Sequence, residues 1–154
     1  MLPPKHALIS ASIGTAGWWL TGQPKACLVA LASGVLPDLD HLIDYAYYNR
    51  RGEHRLILPL HGYEFALLGT IIALRGGHKV LSVAVISYFV HLLADQAENR
   101  TRRWGYSLLF RVWHHFRLEA ISTMPEAASR GRVEDMDLLK SLLFRRRKRP
   151  NSPL

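Results

Sequence analysis

A chain of 154 residues is one domain's worth of sequence, and 49% apolar composition with 11 Gly and 8 Pro excludes disordered, collagenous and other low-complexity classes. The lone Cys27 can close no intramolecular disulfide and build no thiolate zinc knot, so any metal must be held by imidazole and carboxylate. The net charge of +8 is lopsided, with 7 Lys/Arg against 6 Asp/Glu in residues 1–95 and 13 against 6 in residues 96–154.

Four apolar segments run in order: Ala7 to Thr21, Ala26 to Leu36, Leu56 to Leu74 and Val80 to Ala97. They exceed strand length, are rich in Ala, Leu and Gly, and lack strict alternation, which predicts helices and an all-α fold, a compact helical bundle. Lys5 precedes the first run, but neither a small-x-small cleavage site nor a lipobox follows it, so the N-terminus is expected to be retained. Between Leu56 and Ala97 the only charged residues are Glu64, Arg75, Lys79 and Asp95, so this stretch is buried either in protein or in lipid. A full membrane span needs roughly 20 apolar residues. The segments fall short of or near that length, and the distribution of basic residues between loops arbitrates. If the segments span, Lys5, the loop of Arg50, Arg51 and Arg55, and the basic tail share one side, while only Lys25, Arg75 and Lys79 lie on the other. That asymmetry predicts a membrane-embedded or membrane-associated bundle in a bacterial inner membrane, with both termini cytoplasmic.

Beyond the apolar part, Tyr106, Leu109, Phe110, Trp113 and Phe116 recur at helical spacing beside Arg103, Arg111 and Arg117. This predicts an interfacial helix with aromatics at headgroup depth and guanidinium groups on phosphates, against the alternative of a helix packed in a soluble core. Val133 to Phe144 is amphipathic, and Arg145 to Arg149 are five consecutive cations that suit an anionic leaflet. The chain therefore divides into a helical metal-site domain with its interfacial helix, residues 1–122, and an amphipathic helix with a polybasic tail, residues 123–154. Anionic membrane lipid is the expected partner. Nucleic acid is the lesser alternative because no base-reading motif accompanies the charge, and a protein partner is left unspecified.

The residues able to carry chemistry sit inside the apolar segments. Asp38 with His41, His61 with Glu64, and His91 with Asp95 are three or four positions apart and would share a helix face. Each pair has a bland reading: Asp38 and Asp40 after Pro37 suit an ordinary helix start, and His91 with Asp95 suits a buried structural pair. Yet a carboxylate in apolar surroundings costs several kcal/mol unless it is paired or coordinated. Three such pairs together favour one shared divalent cation, and a donor set of imidazole and carboxylate without sulfur suits zinc first, with manganese or iron as alternatives.

The elements Lys5-His6-Ala7-Leu8-Ile9-Ser10, Leu36-Pro37-Asp38-Leu39-Asp40-His41, a His54-Arg55 followed by His61, and Tyr88-Phe89-Val90-His91-Leu92-Leu93-Ala94-Asp95 give the chain a familiar look. Over about residues 5–97 it resembles the bacterial membrane-bound metal-dependent hydrolase family, the LexA-binding, inner-membrane-associated hydrolases, and is more distantly similar to the all-helical zinc-dependent phospholipase C and nuclease fold. The resemblance implies a metal-ligand set of His6, Asp38, Asp40, His41, His61, His91 and Asp95. The family's tight His-Arg-Gly-x-x-His-Ser element is opened here by Leu56 to Leu60, which sets His54 outside that set, and Gly62 stands where the serine would be. The function expected is hydrolysis of a phosphoester by a metal-activated water, with Glu64 or Asp40 as general base or bridging carboxylate and Arg55 clamping a phosphate. The competing readings are a non-enzymatic membrane protein with a structural His/Asp cluster and a basic adaptor that binds nucleic acid or a protein.

Overall fold

A computed structural model describes residues 3–131 and 133–134. The fold is all-α, with no strand among the described residues. Helix α1 spans Pro3–Thr21, α2 Lys25–Val35, α3 His41–Arg51, α4 Tyr63–Gly76, α5 Lys79–Glu98, α6 Leu108–Trp113 and α7 Leu118–Ile121. A 3₁₀ turn, Leu36–Asp40, joins α2 to α3 with Pro37 in its first positions, where the missing N–H costs nothing.

The centre of the bundle is α1, α2 and α5, and their facing stripes are small or polar rather than large and apolar. Buried positions repeat at helical spacing: His6, Ser10, Gly14 and Gly17 on α1; Ala26, Ala30 and Gly34 on α2; Val83, Ser87, His91 and Asp95 on α5. Small residues on each stripe let the backbones approach closely. A Cβ on Gly34 would stand 1.8 Å from Ser10 Oγ and 2.8 Å from Ser87 Oγ. Ser87 Oγ also donates to the Ala30 carbonyl at 2.8 Å, a helix-to-helix bond of the kind that joins helices where water is scarce.

The outward faces are the reverse. Leu8, Trp19, Leu28, Leu67 and Leu74 are exposed while His6, Ser10, Ser87, His91 and Asp95 lie inside. Two helical stretches, Lys25–Arg51 and Lys79–Glu98, are long and apolar enough to cross a membrane, which weakly suggests membrane association. At about 1.5 Å per residue, the 20 residues of α5 cover the ~30 Å of a hydrocarbon core.

The third apolar segment is not one helix. Residues 52–62 run without helix before α4, because Pro59 has no N–H and biases Leu58 away from the α region. Side chains serve the backbone of this connector in place of a helical ladder. Asp44 Oδ1 accepts from the Ile57 N–H at 3.0 Å and Asp40 Oδ2 from the Leu60 N–H at 2.8 Å. The Tyr88 hydroxyl donates to the Leu60 carbonyl at 2.6 Å and accepts from the Gly62 N–H at 3.0 Å. Leu56 and Leu58 then join Leu92, Tyr106, Leu118 and Ile121 in the apolar core.

The predicted interfacial helix is also shorter than its aromatic spacing suggests, since only Leu108–Trp113 is helical. Tyr106 lies before it, fully in the core, while Leu109 and Trp113 face outward. Residues 125–131 are helical and Ala128 packs against the core cluster, so packing continues past residue 122. Most of the amphipathic stretch from Val133 to Phe144, and all of Arg145 to Arg149, lie outside the described residues.

Candidate metal centre

Four segments bring acids and imidazoles to one place. His6 comes from the first turns of α1, and Asp38 and His41 from the 3₁₀ turn and the start of α3. His61 comes from the connector before α4, and His91 and Asp95 from neighbouring turns of α5. His6, His61, His91 and Asp95 are almost wholly buried, whereas the Asp38 side chain is 14% exposed and that of His41 31%. The cluster therefore opens to one side, through Asp38 and His41.

The ring nitrogens that face away from the centre fix the orientation of those that face it. His91 Nδ1 donates to the Gly34 carbonyl at 2.9 Å, and His61 Nδ1 donates to Asp40 Oδ2 at 3.1 Å. In each neutral ring the Nε2 lone pair is then left pointing inward, the tautomer that a metal ligand needs. The two Nε2 atoms stand 3.0 Å apart. Asp38 Oδ1 is 3.7 Å from each of them and 3.9 Å from His41 Nε2. Asp95 Oδ2 is 3.3 Å from His61 Nε2 and 3.7 Å from His91 Nε2, while its Oδ1 meets His6 Nε2 at 2.9 Å.

These separations fit a shared cation. Donors bound at ~2.0–2.2 Å in a tetrahedral shell lie about 3.3–3.6 Å from one another. Two four-residue groups have their ligand atoms within 4.8 Å of one another: His6, Asp38, His91 and Asp95, and Asp38, His41, His61 and Asp95. Asp38 Oδ2 is buried with no hydrogen-bond donor, a cost that a positive ion would remove. Charge points the same way: Asp38, Asp40 and Asp95 all lie within 3.7 Å of a ring nitrogen of His61, so the centre favours a cation or an added proton. Burial pulls the pKa of His61 down, but the nearby carboxylates of Asp38, Asp40 and Asp95 override this and raise it to about 10. Without a cation, a proton on His61 supplies part of the missing positive charge.

Asp40 stands behind His61 rather than in either four-residue group, its Oδ2 shared between the His61 ring and the Leu60 N–H. Glu64 does not share a helix face with His61, because α4 begins only at Tyr63. Its carboxylate instead takes the Ser107 hydroxyl at 2.6 Å and the amides of Leu108 and Leu109 at 2.9 and 3.1 Å, holding the start of α6. Burial raises the Glu64 pKa, but these donors outweigh it and lower it below the ordinary value. Arg55 lies on another face, bonded to Glu53 at 3.0 Å. His54 stacks on Tyr48 at 4.1 Å between ring centres, away from the cluster.

Arg111 is the residue whose role the sequence pattern conceals. Expected at a phosphate headgroup, it is fully buried, and its guanidinium donates to the carbonyls of Leu58, at 2.7 Å, and of His61. It clamps the connector that carries His61. Burial lowers its pKa, countered first by Tyr106 and then by Asp40 and Glu64, and a guanidinium is basic enough to stay charged. No local signal marks it, because its partners lie about 50 residues away in sequence.

A cavity of about 360 Å³ adjoins the open side, with His41, Leu56, Leu58, Arg100, Tyr106 and Met124 in its walls. Two of these, His41 and Tyr106, are also the rings that pack on His61, at 5.5 and 5.7 Å between centres. Compared with known proteins, the chain matches no family model, no curated protein and no solved structure.

Proposed function

We propose that this protein is a membrane-embedded metal-dependent hydrolase that cleaves a phosphoester, a member of the membrane-bound family its motifs resemble. The observation that supports the reading best is the convergence of inward-facing imidazole nitrogens and two carboxylates in a buried pocket open at Asp38 and His41. A divalent cation held by His6, Asp38, His41, His61, His91 and Asp95, zinc in the first instance, supplies a lowered water pKa and charge neutralisation at a phosphoryl oxygen.

The chain's own groups have separable tasks. Asp38, whose side chain borders the open side and whose buried Oδ2 lacks a donor, accepts the proton of the attacking water. Asp40 and the Gly34 carbonyl keep His61 and His91 in their orientation. Arg100, in the wall of the adjoining cavity, takes the phosphate in this reading, the role the sequence offered to Arg55. The apolar Leu56, Leu58 and Met124 beside it take the organic part of the ester. The exposed apolar faces of α1, α2 and α5 set the bundle in a bilayer, and His91 and Asp95 lie near the polar end of α5.

The experiment is hydrolysis of p-nitrophenyl phosphate and its diester by detergent-purified protein, after EDTA and after adding back Zn²⁺ or Mn²⁺. Metal-dependent turnover that Asp38→Asn abolishes supports the reading. A metal-loaded, folded protein inert on both esters refutes the phosphoester assignment and favours the second reading, a structural metal site, to which the near-complete burial of His6, His61 and Asp95 gives its weight.

A further inference from the structure

Four imidazoles and two carboxylates converge, more donors than one tetrahedral ion can use. A single six-coordinate ion could use all of them, but donors across its octahedron would be only about 4–4.4 Å apart at bond lengths near 2.0–2.2 Å. The six residues do not form one such group. They divide into two, His6 with His91 and His41 with His61, and only Asp38 and Asp95 belong to both.

The carboxylates are oriented accordingly. Asp95 turns Oδ1 to His6, at 2.9 Å, and Oδ2 to His61, at 3.3 Å, so its two oxygens serve opposite sides. Asp38 Oδ1 stands midway, 3.7 Å from both His61 and His91. His6 and His91 overlap with centres 3.9 Å apart and His41 meets His61 edge-on at 5.5 Å, while His61 and His91 adjoin across the middle at 5.0 Å with their Nε2 atoms 3.0 Å apart, where the two groups meet. Each pair also comes from different parts of the fold, α1 with α5 for the first and the start of α3 with the connector for the second.

We propose that the cluster holds two divalent cations, one on His6 and His91 and the other on His41 and His61, bridged by Asp38 and Asp95. The inference rests on the metal-binding part of the reading above and specifies its stoichiometry and which residues serve each ion. Paired ions suit phosphoryl transfer, since one can face the attacking oxygen and the other the leaving oxygen. The more exposed His41 side borders the cavity and is the side a substrate reaches first.

The test is zinc stoichiometry by elemental analysis on full-length protein in detergent, stripped with EDTA, reloaded with Zn²⁺ and dialysed, with melting temperature recorded for each variant. Wild type should retain two zinc ions per chain, His6→Ala and His41→Ala one each, and Asp95→Asn should lose occupancy at both positions. One ion per chain in wild type, retained by both histidine variants, overturns the proposal while leaving metal binding intact. Two ions retained by every variant overturns it as surface binding elsewhere. No retained zinc in folded wild type removes the metal reading itself. Because the wild-type count needs no variant to fold, the outcome is decisive even if a substitution destabilises the bundle.

Discussion

Replacing Arg111 by methionine tests whether the connector carrying His61 is held from behind. The substitution keeps most of the apolar stem but removes the donors to the Leu58 and His61 carbonyls, both in the interior. The Leu58 carbonyl keeps the His61 N–H at 3.2 Å, so the His61 carbonyl bears the main loss, about 1–3 kcal/mol for a buried acceptor deprived of the Arg111 donor. With the weaker Leu58 loss offset by no longer burying a guanidinium, a net loss of about 1–3 kcal/mol is expected. For a chain of this size that is a fall of roughly 3–9 °C in melting temperature. The His61 ring should also lose its fixed position, weakening zinc binding by roughly 10–100-fold, the range seen when groups supporting a ligand are removed. Arg111→Lys should recover only part of either quantity, since an ammonium cannot present two N–H groups in a planar fork to two carbonyls. Differential scanning fluorimetry in detergent with a competitive zinc titration reads both effects. An Arg111→Met protein with wild-type melting and zinc affinity, but weakened adsorption to anionic vesicles, would restore the headgroup-anchor role and refute this account.

Other perturbations separate the remaining elements. Gly34→Ala puts a methyl 1.8 Å from Ser10 Oγ and should destabilise by about 1–3 kcal/mol, with Ser10→Gly in the same chain recovering part of the melting temperature. Glu64→Gln tests a pH window: the Glu64 pKa is depressed in the folded protein, so its contribution is complete above the ordinary value of 4.5 and is lost as pH falls through the folded value. The difference in melting temperature between wild type and Glu64→Gln should therefore shrink on acidification below pH 4.5, and a difference constant with pH counts against the capping role. EDTA should lower the melting temperature of zinc-loaded protein, an effect absent from His91→Ala carrying Asp95→Ala; equal sensitivity in both would put the metal elsewhere. Membranes washed in high salt should keep the protein, because salt screens charge and not apolar burial, and recovery in the soluble fraction without detergent would contradict embedding.

The all-α fold and the extents of α1, α2 and α5 are legible in the sequence because long apolar runs without alternation leave little choice of element, whereas α3, more polar, is not marked by such a run. His91 with Asp95, and Asp38 with His41, are visible for a local reason: each pair lies within one helical turn or a 3₁₀ turn leading into a helix, so spacing alone brings the members together. His61 reaches the same centre by a different route, from an extended connector, and the period that paired it with Glu64 continued a helix across Pro59. The spacing of Tyr106 to Phe116 misleads in a similar way, since a repeat at helical intervals does not say where the helix stops. Contacts between distant segments leave no local trace. Ser87 with Ala30 is one case and Arg111 with Leu58 another, each joining residues more than 50 positions apart.

The stripes of Ser10, Gly14, Ala30, Gly34 and Ser87 bear on why the donors lie where they do. If the bundle lies in a bilayer as proposed, its helices gain nothing from the hydrophobic effect by touching, and close packing and polar bonds between them would have to hold it together. In α1, α2 and α5 the small residues supply the first, and Ser87 with the Ala30 carbonyl and His91 with the Gly34 carbonyl supply the second. The His/Asp cluster continues those same faces by one or two turns: Ser10 is followed back to His6, and Ser87 onward to His91 and Asp95. The proposed cation would join α1, α5 and the start of α3 through charged ligands that are otherwise costly to bury, and so would link the helices through those groups. On this argument metal affinity and bundle stability are one quantity measured two ways, and substitutions at Ser10, Gly34 or Ser87 that spread the helices should weaken cation binding without touching a ligand.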